Sequence, residues 1–192
     1  MKLDQIPIEK LKEESSKHQN PYGSHGFEHT ERVYNLCIHL GTVLNADQTI
    51  LLPAAILHDI CRGEENHAEA GAFTAALILR ELGFDENKIR MIQKVITSHS
   101  FSAGETPESL EAKILSDADK LDAIGALGIY RAAAYSGEYP RPISDYIDHF
   151  HKKLMKLDNL LNTSEAKKIS IERKMFMTFY LTQLNRELTG ES

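Results

Sequence analysis

The pair His58-Asp59 lies inside the most apolar predicted helix of the chain, directly after the run ILLPAAIL. A carboxylate placed in apolar surroundings loses its hydration, at a large cost in free energy unless a partner compensates its charge. A hydrogen-bonded histidine is one such partner, and a bound cation is another. The dipeptide therefore predicts either an ordinary buried His–Asp pair or two ligands of a metal ion.

Further histidines and aspartates lie on the apolar stripes of other predicted helices. A single histidine on such a stripe is usually a hydrogen-bonded core residue. Histidines and acids that enter one core from five helices would each need a separate buried partner, whereas one metal centre satisfies them together. Nitrogen and oxygen ligands suit divalent Mn, Fe, Co, Ni, Zn or Mg. The residues concerned are His29, His58, Asp59, His67, His99, Asp117, Asp119 and Asp122.

The elements that must position these side chains are all predicted to be helices. The chain has 22 Leu, 17 Ile and 17 Ala but only 3 Val, and leucine and alanine are strong helix formers. No stretch alternates apolar and polar residues between turn signals, as half-buried strands do. We expect an all-α single domain of about eight helices without an internal repeat or linker. The predicted bounds are about 7–18, 26–45, 48–61, 66–82, 85–99, 107–135, 144–161 and 164–188. Asp47 and Ser164 are the expected N-caps, and a bend is expected in the sixth helix near Gly125 or Gly128.

Composition excludes several functional classes. The net charge is −6 and the isoelectric point about 5.8, and general nucleic-acid binding needs a basic field instead. No uncharged apolar run approaches the roughly 20 residues of a membrane span, and the early acids of MKLDQIPIEKL do not fit a signal peptide. Two cysteines, Cys37 and Cys61, are too few for a disulfide framework. We expect a soluble, cytoplasmic protein without a membrane partner.

The order His29, His58-Asp59, Asp119 forms the pattern H…HD…D. In this the chain resembles the HD-domain superfamily of metal-dependent phosphohydrolases. SHGFEHTERV (24–33), AAILHDI (54–60) and DADKLDAIGALG (117–128) are similar to its ligand-bearing helices, and NHAEAGAFTAALIL (66–79) to its small stand-alone members. The resemblance covers about residues 23–134. It implies one HD-type helical bundle over residues 1–192, with C-terminal helices at about 144–188.

The resemblance also implies a ligand set. It assigns His29, His58, Asp59 and Asp119 to a divalent metal ion, with His58 and Asp59 central to catalysis. Asp119 is preferred to Asp117 because the last aspartate of the superfamily usually follows a small residue, here Ala118. Asp122 would be structural or would support a ligand. His67 and His99, and with less support His25, are similar to histidines that hold a second metal or contact phosphate.

Three basic residues stand close to these ligands: Arg32, Arg62 and Lys120. They could hold the phosphate of a substrate, or they could be ion-pair partners of the buried carboxylates. The chain departs from the superfamily at Arg62, where its nucleotidases and alarmone hydrolases often have a catalytic glutamate. The general base is therefore unassigned.

The function that the resemblance implies is metal-dependent hydrolysis of a phosphoester or phosphoanhydride bond. The substrate would be a nucleotide or another small phosphorylated metabolite. Two other functions fit the same residues: a di-iron oxygenase on the same scaffold, and a non-catalytic module that binds metal or nucleotide.

Overall fold

The structure is a computed structural model that describes residues 3–21, 26–99 and 106–191. All regular elements within these ranges are helices, which confirms the predicted all-α class. The contacts divide the chain into two compact units, residues 1–119 and 120–192. No helix within the described ranges is long and apolar enough to cross a membrane.

The first unit is built around its third helix. Residues 50–57 of this helix are all buried, as expected for a helix that is apolar on every side. It packs against the first, second and fifth helices and also contacts the fourth. The helices of this unit are α1 (Ile8–Lys17), α2 (Phe27–Val43), α3 (Gln48–Leu57), α4 (His67–Glu81), α5 (Glu86–Thr97) and most of α6 (Leu110–Asp122), with a 3₁₀ turn at Leu3–Gln5.

The two ends of α3 differ in how well the sequence predicted them. Asp47 caps the N-terminus, where its side chain accepts a hydrogen bond from the backbone N–H of Thr49 at 2.8 Å. The predicted C-terminus, at about residue 61, is wrong, since α3 ends at Leu57. Residues 58–63 form turns in which Ile60 and Arg62 donate to carbonyls three residues back, which tightens the chain. His58 and Asp59 therefore stand just past the helix and not inside it.

The second unit contains α7 (Gly125–Glu138), α8 (Ile143–Lys152), a 3₁₀ segment (Leu154–Leu160) and α9 (Ser164–Thr189). Two predicted helices are wrong in length. The helix predicted for 107–135 is divided into α6 and α7 at Gly125, one of the two glycines near which a bend is expected. The one predicted for 144–161 ends early and continues as the 3₁₀ segment. The cap of α9 is Thr163 and not Ser164, since Thr163 Oγ1 accepts from Ala166 N at 3.3 Å.

The break between α6 and α7 has a backbone cause. Gly125 has a φ of +79°, which an L side chain rarely adopts. At Gly128 an added Cβ would overlap the backbone carbonyl oxygen of Ala123, so the first turn of α7 can lie this close to Ala123 only without a side chain at position 128. Asp122 and Arg131, both buried, form an ion pair of 2.8 Å across the break. Asp122 thus has a structural partner.

We predict that Gly128→Ala lowers the free energy of unfolding by about 1–3 kcal/mol, because a fixed backbone oxygen occupies the space of the new methyl group. Gly137→Ala is the matched control in the same helix, where nothing lies within 4 Å of an added Cβ. It should leave stability unchanged or raise it slightly. Chemical denaturation of both variants checks the difference, and equal stabilities would contradict this account of the break.

Candidate metal centre

The carboxylate of Asp59 lies at the centre of a cluster of histidine side chains and is 2% exposed. Its Oδ2 atom is 3.7 Å from Nε2 of His29 and 3.8 Å from Nε2 of His58. Its Oδ1 atom is 3.6 Å from Nε2 of His99 and 3.3 Å from Nη1 of Arg62. Side chains from α2, from the turn after α3 and from the end of α5 therefore meet at one carboxylate.

Backbone hydrogen bonds fix how two of these imidazoles are turned. Nδ1 of His58 donates to the carbonyl oxygen of Ala55 at 2.8 Å, and Nδ1 of His99 donates to that of Ile96. A neutral imidazole that donates from Nδ1 carries a lone pair on Nε2. Both lone pairs therefore face the Asp59 carboxylate, which is itself an acceptor.

Because an imidazole lone pair and a carboxylate oxygen are both hydrogen-bond acceptors, neither can satisfy the other. Within the described residues, Nε2 of His58, His67 and His99 and Oδ2 of Asp59 have no hydrogen-bond partner. Each such atom costs free energy when it is buried. Cations bound between the Asp59 carboxylate and these imidazoles would satisfy the buried atoms, since the carboxylate and the Nε2 atoms of His58 and His99 offer lone pairs. This donor set is the one that binds first-row divalent metals.

The ligand atoms fall into two groups that share Asp59. One group is His29, His58 and Asp59, and the other is Asp59, His67 and His99; in each, the ligand atoms lie within 4.8 Å of one another. Ligand atoms around a single first-row ion stand about 3–3.5 Å apart, close to the 3.6–3.8 Å seen around Asp59. The residues therefore fit a bound metal, and the shared carboxylate allows a second ion.

The last acid of the predicted ligand set comes from α6. Oδ1 of Asp119 lies 3.4 Å from Nε2 of His29, and the Asp119 side chain is 30% exposed. Asp117, the alternative, is fully buried in the same helix. The choice of Asp119 stays a prediction, which its distance to His29 supports.

The protonation states suit metal binding. Burial lowers the pKa of His58 to about 4. Burial alone would raise the pKa of Asp59, but the neighbouring His58 and His99 and the Arg62 guanidinium hold it well below its usual range. At neutral pH, His58 is thus neutral and Asp59 is ionised. These are the forms that ligate a metal ion.

The basic residues differ in their exposure. Arg62 is paired with Asp59, and 38% of its side chain is open to solvent. Arg32 is half-buried and Lys120 is buried. His25 lies outside the described residues. The roles predicted for these four residues in phosphate contact stay predictions.

One contact between helices at the centre was not identified from the sequence. An added Cβ at Gly71 in α4 would lie 3.4 Å from the carbonyl oxygen of His58. The helix α4, which carries His67, therefore passes the turn after α3 at an ordinary van der Waals distance.

Comparison with known proteins gives concordant matches. The model of the HD domain family matches residues 26–124. YpgQ of Bacillus subtilis strain 168 is 33% identical over 179 residues, which cover 86% of this chain and 85% of YpgQ. The crystal structure of Bacillus subtilis YpgQ in complex with ADP aligns with a TM-score of 0.82 at 26% identity, covering 96% of this chain and 100% of that one. An HD-superfamily hydrolase from Bacillus thuringiensis aligns with a TM-score of 0.78 at 31% identity, covering 95% and 96%.

We predict that Asp59→Ala lowers metal affinity about tenfold or more, because both ligand groups lose their shared anion. Metal analysis of the purified variant and titration of the stripped protein check this. Asp145→Ala, at an exposed aspartate of α8, is the control and should bind like the parent. Full metal occupancy in Asp59→Ala would remove Asp59 from the ligand set.

A second comparison identifies the last ligand. Asp119→Asn should weaken metal binding more than Asp117→Asn does, because Asp119 is the acid beside His29. Competition with a chelator of known affinity measures both variants on one scale. The reverse order would show that Asp117 is the ligand.

Proposed function

The chain belongs to the HD-domain family of metal-dependent hydrolases, and we propose that it hydrolyses a phosphoester or phosphoanhydride bond in a nucleotide or other small phosphorylated metabolite. The observation that carries the proposal is the Asp59 carboxylate, which is buried between imidazoles whose Nε2 lone pairs face it. Such a cluster binds a divalent cation, and phosphate oxygens are natural additional ligands for that cation.

His29, His58, Asp59 and Asp119 would hold the metal ion, with His67 and His99 available for a second ion or for a phosphate oxygen. A divalent ion in this position supplies Lewis acidity toward a phosphoryl oxygen and lowers the pKa of a bound water. The backbone carbonyls of Ala55 and Ile96 keep the imidazoles of His58 and His99 turned toward the centre. This fixed orientation avoids reorganisation during the reaction.

Arg62 is the best placed of the three basic residues to contact substrate. Its guanidinium reaches the Asp59 carboxylate and is still partly open to solvent, so a second face of the guanidinium can donate to phosphate oxygens. Lys120 follows Asp119 directly in the chain, and Arg32 lies one turn beyond His29. We assign all three to the phosphate-binding set, with Arg62 first.

Nucleotide as the substrate class rests on a relative. Bacillus subtilis YpgQ has been crystallised with ADP, which contains a phosphoanhydride bond. A screen of nucleoside mono-, di- and triphosphates with Mn²⁺, Co²⁺, Ni²⁺, Zn²⁺, Fe²⁺ and Mg²⁺, measuring released phosphate and pyrophosphate, tests the proposal. Metal-dependent turnover of at least one nucleotide supports it. No turnover with any metal would favour a binding module instead.

The sharing of Asp59 by two ligand groups favours one alternative, a di-iron oxygenase. That enzyme would consume oxygen in the presence of iron and would release no phosphate. Oxygen uptake measured beside phosphate release therefore separates the two activities.

We predict that Arg62→Ala and Lys120→Ala each lower kcat/KM roughly ten- to a hundredfold while bound metal stays near the parent level. A charge-assisted contact to phosphate contributes about 1.5–3 kcal/mol, and it acts on the substrate and not on the ion. Arg90→Ala, at an exposed arginine of α5, is the control. Loss of metal or of thermal stability without a kinetic effect would mean that these residues only support the carboxylates.

A further inference from the structure

A chain of hydrogen bonds crosses the first unit between two segments that carry predicted metal ligands. Oγ1 of Thr30 donates to Oε1 of Gln19 at 2.8 Å. Nε2 of Gln19 donates to Oγ of Ser15 at 3.1 Å, and that hydroxyl donates to the carbonyl oxygen of Ile56 at 2.7 Å. Ser15 and Thr30 are buried, and Gln19 is half-buried. We call Ser15, Gln19 and Thr30 the polar bridge.

Each end of the polar bridge lies beside a predicted ligand. Thr30 directly follows His29, and Ile56 precedes His58 by two residues. The bridge therefore joins the first turn of α2 to the last turn of α3. The ends of a helix are held less firmly than its middle, because their terminal backbone groups have no partner inside the helix. A bridge between two such ends acts on where their ligands lie.

At the end of α3 the bridge replaces a bond of the helix. In a continuing helix the carbonyl of Ile56 would accept from the N–H of Ile60, but that N–H donates to the carbonyl three residues back, at 3.3 Å. The hydroxyl of Ser15 occupies the place instead. One residue earlier, the carbonyl of Ala55 accepts from Nδ1 of His58. Ser15 therefore holds the peptide group next to the one that orients the His58 imidazole.

At the start of α2 the bridge works together with a backbone bond. The N–H of Phe27 donates to the carbonyl of Asn20 at 2.8 Å, one residue on from Gln19. A threonine inside a helix commonly bonds a carbonyl of its own preceding turn, whereas Thr30 donates to Gln19. The first turn of α2, which carries His29, is therefore tied to the chain after α1 by the backbone and by a side chain.

The same kind of contact occurs at a third ligand-bearing helix end. Oγ of Ser116, a buried serine of α6, donates to the carbonyl oxygen of His99 at 3.1 Å. Ser170 of α9 is also buried, but its hydroxyl donates to Lys167 of its own helix at 2.7 Å. Ser170 therefore provides a comparison for the buried hydroxyls that reach a neighbouring segment.

We propose that Ser15, Gln19 and Thr30 are positioning residues that hold His29 at the correct distance from the His58-Asp59 pair and so set the affinity of the centre for its metal ion. The proposal rests on the metal centre of the proposed function. In the bridge each donor meets an acceptor, so the loss of one hydroxyl leaves buried groups without a partner. Ligand distances must be correct to about 0.2 Å, so a small shift of either helix end weakens binding.

Competition with a chelator of known affinity for Mn²⁺ tests the proposal, at a temperature where far-UV circular dichroism shows every variant to be folded. Ser15→Ala and Thr30→Val should each weaken Mn²⁺ binding about tenfold, since each removes one hydroxyl of the bridge. Thr30→Ser keeps the hydroxyl and should bind like the parent. Ser170→Ala is the matched control, because it removes a buried hydroxyl outside the bridge, and it should also bind like the parent.

The unfolding temperature of the metal-free variants separates positioning from stability alone. If Ser15→Ala and Thr30→Val lower that temperature but bind Mn²⁺ like the parent, the bridge only supports the fold and the proposal is overturned. The double variant should bind no more weakly than the weaker single variant, because both changes interrupt one chain of hydrogen bonds. Losses of affinity that multiply would show two independent contacts and would overturn the bridge as a unit.

The test measures no turnover, so its failure is distinct from failure of the proposed hydrolysis. A parent that binds Mn²⁺ but hydrolyses no nucleotide would contradict the proposed function, and the affinities of the variants would still decide for or against the bridge. A parent that binds no divalent ion would overturn the bridge together with the metal centre.

Discussion

The burial of the Asp59 carboxylate among histidine imidazoles, two of which turn their lone pairs toward it, is the constraint on which the rest of the first unit depends. Asp59 lies within 4 Å of three imidazoles, and two of them are fixed by backbone carbonyls so that they cannot donate to it. The arrangement is unfavourable without a cation and favourable with one. A chain that folds into it thereby forms a metal site, and the chemistry follows from what the metal can bind.

The helices of the first unit position the residues around the Asp59 carboxylate. The apolar α3 lies at the centre of its unit and delivers His58 and Asp59 at the turn after its last residue, where side chains can point away from the helix surface. The helix α4, which carries His67, passes close to the same turn at Gly71. Arg62, one turn later, partly neutralises Asp59 while it stays in contact with solvent. Arg62 therefore lowers the pKa of the carboxylate while part of its own side chain remains exposed.

The sequence predicted the helical class, the central position of α3 and the convergence of His29, His58, Asp59 and His99. It did so because buried charge is costly, and residues that enter a core together need a shared partner. The glycines at 125 and 128 indicated a bend in the sixth predicted helix, but a full break there depends on a positive φ. The end of α3 was less predictable, since it depends on local hydrogen bonds. The sharing of Asp59 by two ligand groups depends on tertiary distances that no spacing in the sequence encodes.

The most direct test of the metal centre is to count the divalent ions bound per folded chain before and after chelation, while following the unfolding temperature. The account predicts at least one ion per chain, a lower unfolding temperature after the ion is removed, and recovery when Mn²⁺ or another divalent ion is returned. A chain that binds no ion and unfolds at the same temperature with and without added metal would contradict it.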